Sequence, residues 1–228
     1  VSTTPAVPPG LVVAIDGPSG SGKSSTSRGV AARLGLRYLD TGAMFRGIAW
    51  WMLREGVTID DPAAVAARAQ EPVIVSGTDP AAPGITVDGV DVAQAIRGAD
   101  VTGAVSPVSA VPQVRARLLE LQREIIGAGG IVVEGRDIGS VVAPDAQVKV
   151  YLTADAAARA SRRVLEEGGS DVGATQASLL ARDAIDSTRA TAPLVMPDGA
   201  VHIDTTSYTL DEVIDQVVAL VQVVEDPA

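Results

Sequence analysis

Gly17-Pro18-Ser19-Gly20-Ser21-Gly22-Lys23-Ser24, entered from the apolar run Leu11-Val12-Val13-Ala14-Ile15, decides how this chain of 228 residues is read. The spacing is G-x-x-x-x-G-K-[ST], the P-loop pattern. A run of branched residues reads as a buried strand of a parallel sheet, and the glycines let the chain turn so that successive backbone N–H groups face one point. That point suits a polyphosphate. From Ser24 and Ser25 to Leu34 the sequence is compatible with a helix, with Val30, Ala31 and Leu34 on its apolar side. The free amides and positive dipole end of that helix add to the anion site. Lys23 would place an ammonium at the β and γ phosphates, and the Ser24 hydroxyl would take one Mg²⁺ position.

The composition narrows the remaining possibilities. The length fits one domain or one domain with a small insert, and a hydrophobic share of 46% is ample for a packed core. No apolar stretch reaches 18 residues, and Val1 to Gly10 is rich in Pro and Thr without the pattern of a signal peptide. A cytoplasmic protein that does not engage a membrane is the expectation, with 1–10 as a loose tail. Cysteine is absent, which removes disulfides, thiolate nucleophiles and Cys-based metal sites, and His202 is the only histidine. A histidine-paired triad or a multi-histidine zinc site has no material to form from. The net charge of −10 argues against a nucleic-acid partner, since phosphate backbones need a basic face. Lys23 and Lys149 are the only lysines, and every other cation is an arginine, whose planar fork pairs with phosphate in bidentate fashion.

Short β-like runs follow the P-loop at Arg37 to Asp40, Gly130 to Glu134, Val148 to Leu152 and Ala200 to Asp204. Helix-compatible segments lie between them, at Ala43 to Arg54, Pro112 to Ile126, Ala154 to Glu166, Thr175 to Ile185 and Leu210 to Val224, with Asp155 and Thr209 as caps. The alternation predicts an α/β fold with a five-stranded parallel sheet and helices on both faces, ligands gathering at the carboxyl ends of the strands. Glu71 to Val92 breaks the alternation with β-like runs, a turn-rich stretch and a hairpin-like Asp88-Gly89, preceded by a helix start at Asp61-Pro62. It reads as a small β insert. The glycines of 168–173, between two arginine-bearing helices, read as a hinged flap. The expected division is a tail 1–10, core 11–60, monophosphate-binding insert 61–100, core 101–164, flap 165–182 and core 183–228.

P-loops occur in switch GTPases, motor ATPases and small-molecule kinases, so other residues must choose. The chain has no asparagine, which excludes both the Asn-Lys-x-Asp guanine-reading motif and the asparagine-bearing catalytic loop of protein kinases. A second motif follows at Tyr38-Leu39-Asp40-Thr41-Gly42-Ala43-Met44-Phe45-Arg46. Together with the P-loop it resembles the bacterial cytidylate kinases, a branch of the nucleoside monophosphate kinases. Ser106-Pro107-Val108-Ser109-Ala110-Val111-Pro112-Gln113-Val114-Arg115 is similar to the family's serine and arginine stretch, and Glu134-Gly135-Arg136-Asp137-Ile138-Gly139-Ser140 to its strand-end signature. Arg182-Asp183-Ala184-Ile185-Asp186-Ser187-Thr188-Arg189, Ala192-Pro193-Leu194 and the arginines Arg159, Arg162 and Arg163 complete a resemblance that spans nearly the whole chain.

The resemblance implies a kinase that moves the γ-phosphoryl group of ATP, with Mg²⁺, onto CMP or dCMP; a monomer is the expectation, although no motif bears on oligomeric state. It implies that Gly17 to Ser25 hold ATP together with Arg163 and with Arg159, the latter stacked on adenine. It places Thr41, Arg115 and Asp137 at the cytosine, and Ser106, Arg182 and Asp186 near the sugar. The chemistry of these residues is compatible. Two anions must be brought together with their repulsion screened, which is work for guanidinium groups. Arg46, Arg136 and Arg189 are candidates for the acceptor phosphate, and Lys23, Arg163 and Arg182 for the phosphate in transfer. For any single arginine the alternative is a surface ion pair. Cytosine offers an exocyclic amine that donates and a ring nitrogen that accepts, so reading it calls for a carboxylate beside a donor. Asp137 can be that carboxylate, or it can cap the next helix or pair with Arg136. Glu134, at the end of Ile131-Val132-Val133, stands where a carboxylate would meet Mg²⁺ directly or through water, although strand-end glutamates also serve solubility alone; Asp16 can orient the loop. No general base is needed, because the acceptor phosphate is already an anion. Against the family pattern, Thr41 replaces a serine, Phe45 a tyrosine and Ile185 an arginine. The competing expectations are a kinase of UMP or AMP, and a P-loop switch module with slow hydrolysis.

Overall fold

The apolar run ahead of the P-loop forms β1 (Val12–Asp16), every residue of it buried, at the centre of a five-stranded sheet. This is seen in a computed structural model that describes residues 8–167, 171–188 and 191–225. Residues 1–7 of the expected tail, Gly168, Gly169 and Ser170 of the expected flap, and Arg189 lie outside the described residues. The sheet runs β2 (Arg37–Asp40), β6 (Ile131–Gly135), β1, β7 (Val148–Thr153), β8 (Val201–Asp204). β1 lies parallel to both β6 and β7, and β7 parallel to β8. Strands buried on both faces need no polar alternation, which is why β1 and β6 read as continuous apolar runs. Val13 aligns with Val132, Ile15 with Glu134 and Asp16 with Gly135. This register brings the start of the P-loop level with the strand end that carries Glu134, Arg136 and Asp137.

The chain divides into two compact units, Val1–Tyr38 with Ala128–Ala228, and Leu39–Gly127. In the first, α1 (Lys23–Leu34) and α8 (Leu210–Glu225) join the sheet in one apolar cluster, where Val13, Ile15, Val30, Leu34, Val150, Leu152, Val213 and Val217 are buried. Burying each such side chain contributes roughly 1.5–3 kcal/mol. Thr209 caps α8 as expected, and the structure adds Glu212 to form a box: Thr209 Nα and Oγ1 donate to Glu212 Oε2, and Glu212 Nα donates to Thr209 Oγ1 at 3.3 Å. Helices α6 (Ala156–Glu167) and α7 (Val172–Thr188) pack on one another. His202 is exposed on β8 and shares a hydrogen bond with Thr153 Oγ1 at 2.7 Å.

The second unit holds α2 (Thr41–Arg54), α3 (Pro62–Arg68), a three-stranded sheet of β3 (Ile74–Ser76), β4 (Ile85–Val87) and β5 (Val90–Asp91), then α4 (Ala99–Ala110) and α5 (Pro112–Ile126). The unit is wider than the 61–100 stretch read from the sequence, because α2 packs on β4 and on α4. Asp40 caps α2 by accepting from Ala43 Nα at 2.9 Å, and Asp61 caps α3 with Pro62 in its first turn. At the Asp88-Gly89 hairpin both residues have positive φ, 50° and 77°. The Asp88 carboxylate accepts from Val73 Nα at 2.8 Å and from Trp51 Nε1 at 2.7 Å, fastening the sheet to α2. No helix among the described residues is long and apolar enough to cross a membrane.

Candidate active site

Two backbone conformations shape the loop. Gly17 has φ +146°, and a Cβ there would lie 2.1 Å from the Leu152 carbonyl oxygen. Gly22, at φ +87°, caps α1 from the left-handed region. The loop therefore rises from β1 close against the end of β7 and delivers Lys23 and Ser24 as the first residues of α1. Lys23 is buried, and its Nζ donates to Pro18 O at 2.7 Å. Burial and the neighbouring Arg136 lower its pKa from 10.5 to about 7, against the pull of Glu134, Asp16 and Asp183. Anionic phosphates arriving at this amine favour its charged form. With the pKa lowered in this direction, a phosphate ligand binding here is expected to take up a proton above about pH 7, with the uptake fading as the pH falls below it. Calorimetric titration of ATP at pH 8 in buffers of different ionisation enthalpy measures this; equal heats in all buffers would contradict it.

Ser24 Oγ donates to Glu134 Oε2 at 3.0 Å, and the buried Tyr38 hydroxyl donates to Glu134 Oε1. A strand-end carboxylate is thus held between the P-loop serine and a phenol from β2. Beside it, Arg136 Nε donates to Asp186 Oδ2 at 2.7 Å and its NH1 to Gly17 O at 3.0 Å. Asp186 is itself buried. Arg182 sits half-buried, its pKa lowered by burial and by Arg136, with Asp186 acting in opposition. Arg163 belongs to the same cationic neighbourhood as Arg182. Asp137 is 4% exposed, and its side chain does not cap the π-helical turn Ile138–Val142 that follows it. Burial raises the Asp16 pKa to about 6, against hydrogen bonds from Gly139 and Ile138.

Arg159 and Arg162 occupy different places although both lie on α6. Arg159 is 5% exposed, with its NH1 donating to Ser19 O at 3.0 Å and to Asp183. It braces the glycine loop from beneath. Arg162 instead borders a recess of about 280 Å³ lined also by Gly20, Ser21, Leu165, Thr205 and Tyr208. Thr205 Oγ1 lies 3.1 Å from both Ser21 O and Thr153 O, and accepts from Arg162 NH1 at 2.8 Å. Nothing in the local sequence marks Thr205, whose role arises from a contact 184 positions away. Thr205→Val removes that node, at a cost of about 1 kcal/mol. The KM for ATP should rise about fivefold while that for the acceptor stays within about twofold; initial-rate kinetics with each substrate varied would contradict it if both rose together.

The remaining candidates lie in the second unit. Thr41 is buried at the start of α2. Arg46 NH1 donates to Ile96 O and to Thr102 Oγ1, each at 3.0 Å. Arg115 is buried on α5, where its NH1 donates to Ser109 O at 3.2 Å and its guanidinium lies 5.1 Å from the Phe45 ring centre. Ser109 Oγ in turn donates to Ser106 O at 3.1 Å. The Ser106–Arg115 motif is therefore one bonded corner between α4 and α5, bent at Val111.

A parallel sheet whose central strand feeds a glycine loop, with lysine, serine and carboxylate gathered at its mouth, defines a P-loop protein with a phosphate-binding site. A crystal structure of an uncharacterized protein from Eubacterium ventriosum shares this fold, with a TM-score of 0.52, 12% identity and coverage of 93% of this chain and 98% of that one. Sequence is more specific. The family model described as "Cytidylate kinase" matches residues 13–223. The "Cytidylate kinase" of Streptomyces coelicolor is 62% identical over 216 residues, 94% of each chain. That of Streptomyces avermitilis is 59% identical over 216 residues, again 94% of each. The chain belongs to the cytidylate kinase family.

Proposed function

We propose that this chain transfers the γ-phosphoryl group of ATP to CMP or dCMP, giving ADP and CDP or dCDP. The observation that carries the reading is the loop mouth itself, where Lys23, the Ser24–Glu134 contact and the Arg136–Asp186 pair converge in a chain that matches cytidylate kinases along its length. The glycine loop and the helix dipole of α1 hold the donor phosphates. Adenine enters the recess between Arg162, Leu165 and Tyr208, with Arg159 supporting the loop rather than stacking on the base. Lys23, Arg163 and Arg182 balance charge on the phosphoryl group in transfer, and Arg136 meets the acceptor phosphate. Arg46 shares that task, Arg189 is assigned to it on sequence alone, and Thr41, Arg115 and Asp137 read the base. Ser106, Arg182 and Asp186 are assigned to the sugar.

The donor set fits Mg²⁺: a hydroxyl and a carboxylate are hard oxygen ligands one hydrogen bond apart, and Ser24 and Glu134 would hold the ion, leaving other positions to water and phosphate oxygens. When bound it neutralises charge on the β and γ oxygens. The side chains otherwise act by position and charge, because the acceptor oxygen needs no deprotonation. ADP release measured with and without CMP separates this reading from a switch module. Strong stimulation by CMP is expected; turnover indifferent to every monophosphate would contradict it.

A further inference from the structure

The buried carboxylate of Asp16 has both oxygens committed. Ile138 Nα donates to Oδ1 and Gly139 Nα to Oδ2, each at 2.8 Å. Asp16 is the last residue of β1, is fully buried, and immediately precedes Gly17. The amides it holds open the π-helical turn directly after Arg136 and Asp137. The Asp137 carbonyl is fixed from the other side, accepting from Val141 Nα at 2.9 Å and Val142 Nα at 3.1 Å. Arg136 returns to the same strand end by donating to Gly17 O. The segment 136–139 is thus tied to residues 16 and 17 by three hydrogen bonds, and the backbone of Asp137 has little freedom left. A carboxylate with two backbone amides as partners is a strong anchor, since a charged acceptor roughly doubles the strength of each bond.

We propose that Asp16 is a positioning residue for acceptor selection: by clamping the amides of Ile138 and Gly139 to the strand that bears the P-loop, it fixes the Asp137 carboxylate at the angle needed to read cytosine. Sub-ångström placement of a polar group decides whether a base analogue is rejected. Asp16 itself touches neither nucleotide in this scheme. The inference rests on the cytidylate kinase reading and adds the residue that sets its base preference.

The test is Asp16→Asn, which keeps shape and one acceptor but turns an NH₂ group toward one of the two amides. The preference for CMP over UMP should fall about tenfold and the KM for CMP should rise about tenfold, the equivalent of one charge-assisted bond lost. Affinity for ATP should stay within about twofold. A structural role alone would lower the melting temperature and leave the CMP to UMP ratio unchanged. An unchanged ratio in Asp16→Asn, with the wild type preferring CMP, overturns this inference alone; a wild type that does not prefer CMP overturns the underlying reading and this inference with it. Should the variant not fold, hydrogen exchange on the intact wild type decides: protected Ile138 and Gly139 amides support the clamp, and amides that exchange freely overturn it.

Discussion

Lys23→Ala is expected to lower kcat by about 10²–10³-fold, the scale seen when a single charge-stabilising donor is removed from a transfer site. The loss should fall on kcat more than on the KM for CMP, because the amine serves the phosphoryl group in motion. Stability should not suffer in parallel. The wild-type lysine is buried, with its charged form disfavoured by burial and by Arg136, so truncation removes an unfavourable element of the fold as well as a functional one. Steady-state kinetics beside a thermal melt separate the two effects. A mutant that turned over at nearly the wild-type rate would contradict the assignment of the loop.

Asp137→Ala is expected to reduce kcat/KM for CMP by about 10–10²-fold, since a hydrogen bond to a charged partner contributes about 1.5–3 kcal/mol. ATP affinity should stay within about twofold, and discrimination against UMP should largely disappear. The structure removes one of the competing roles for this residue. Its side chain does not cap the turn behind it. Equal losses for CMP use and ATP binding, measured by kinetics and equilibrium titration, would contradict base reading by Asp137.

The loop, α1 and the five-stranded parallel sheet were open to sequence reading because each leaves a local mark, a glycine spacing, a helical period or an apolar run, whereas the strand order leaves none. Asp61-Pro62 and the Thr209 cap were legible for the same reason. α4 was not, because Pro107 sits inside it and the run from Ala99 reads as irregular. Contacts between distant residues were not legible: Asp16 and Tyr38 stand out beside their motifs without their partners, and Thr205 leaves no local mark. Tyr38 meets Glu134 across 96 positions, Asp16 meets Ile138 across 122, and Thr205 meets Ser21 across 184. Arg159 and Arg162 show a related limit. Both lie on one short helix, and only the packed structure separates a brace under the loop from a wall of the recess.

The central claim is that the phosphoryl group leaving ATP lands on cytidine monophosphate. Purified protein given γ-labelled ATP and Mg²⁺ with CMP, dCMP, UMP or AMP in turn tests it directly, with the labelled products separated and counted. The account predicts label in CDP and dCDP, little in UDP or ADP, and almost none as inorganic phosphate while CMP is present. Label appearing chiefly as inorganic phosphate, or equally in the products of every acceptor, would contradict it.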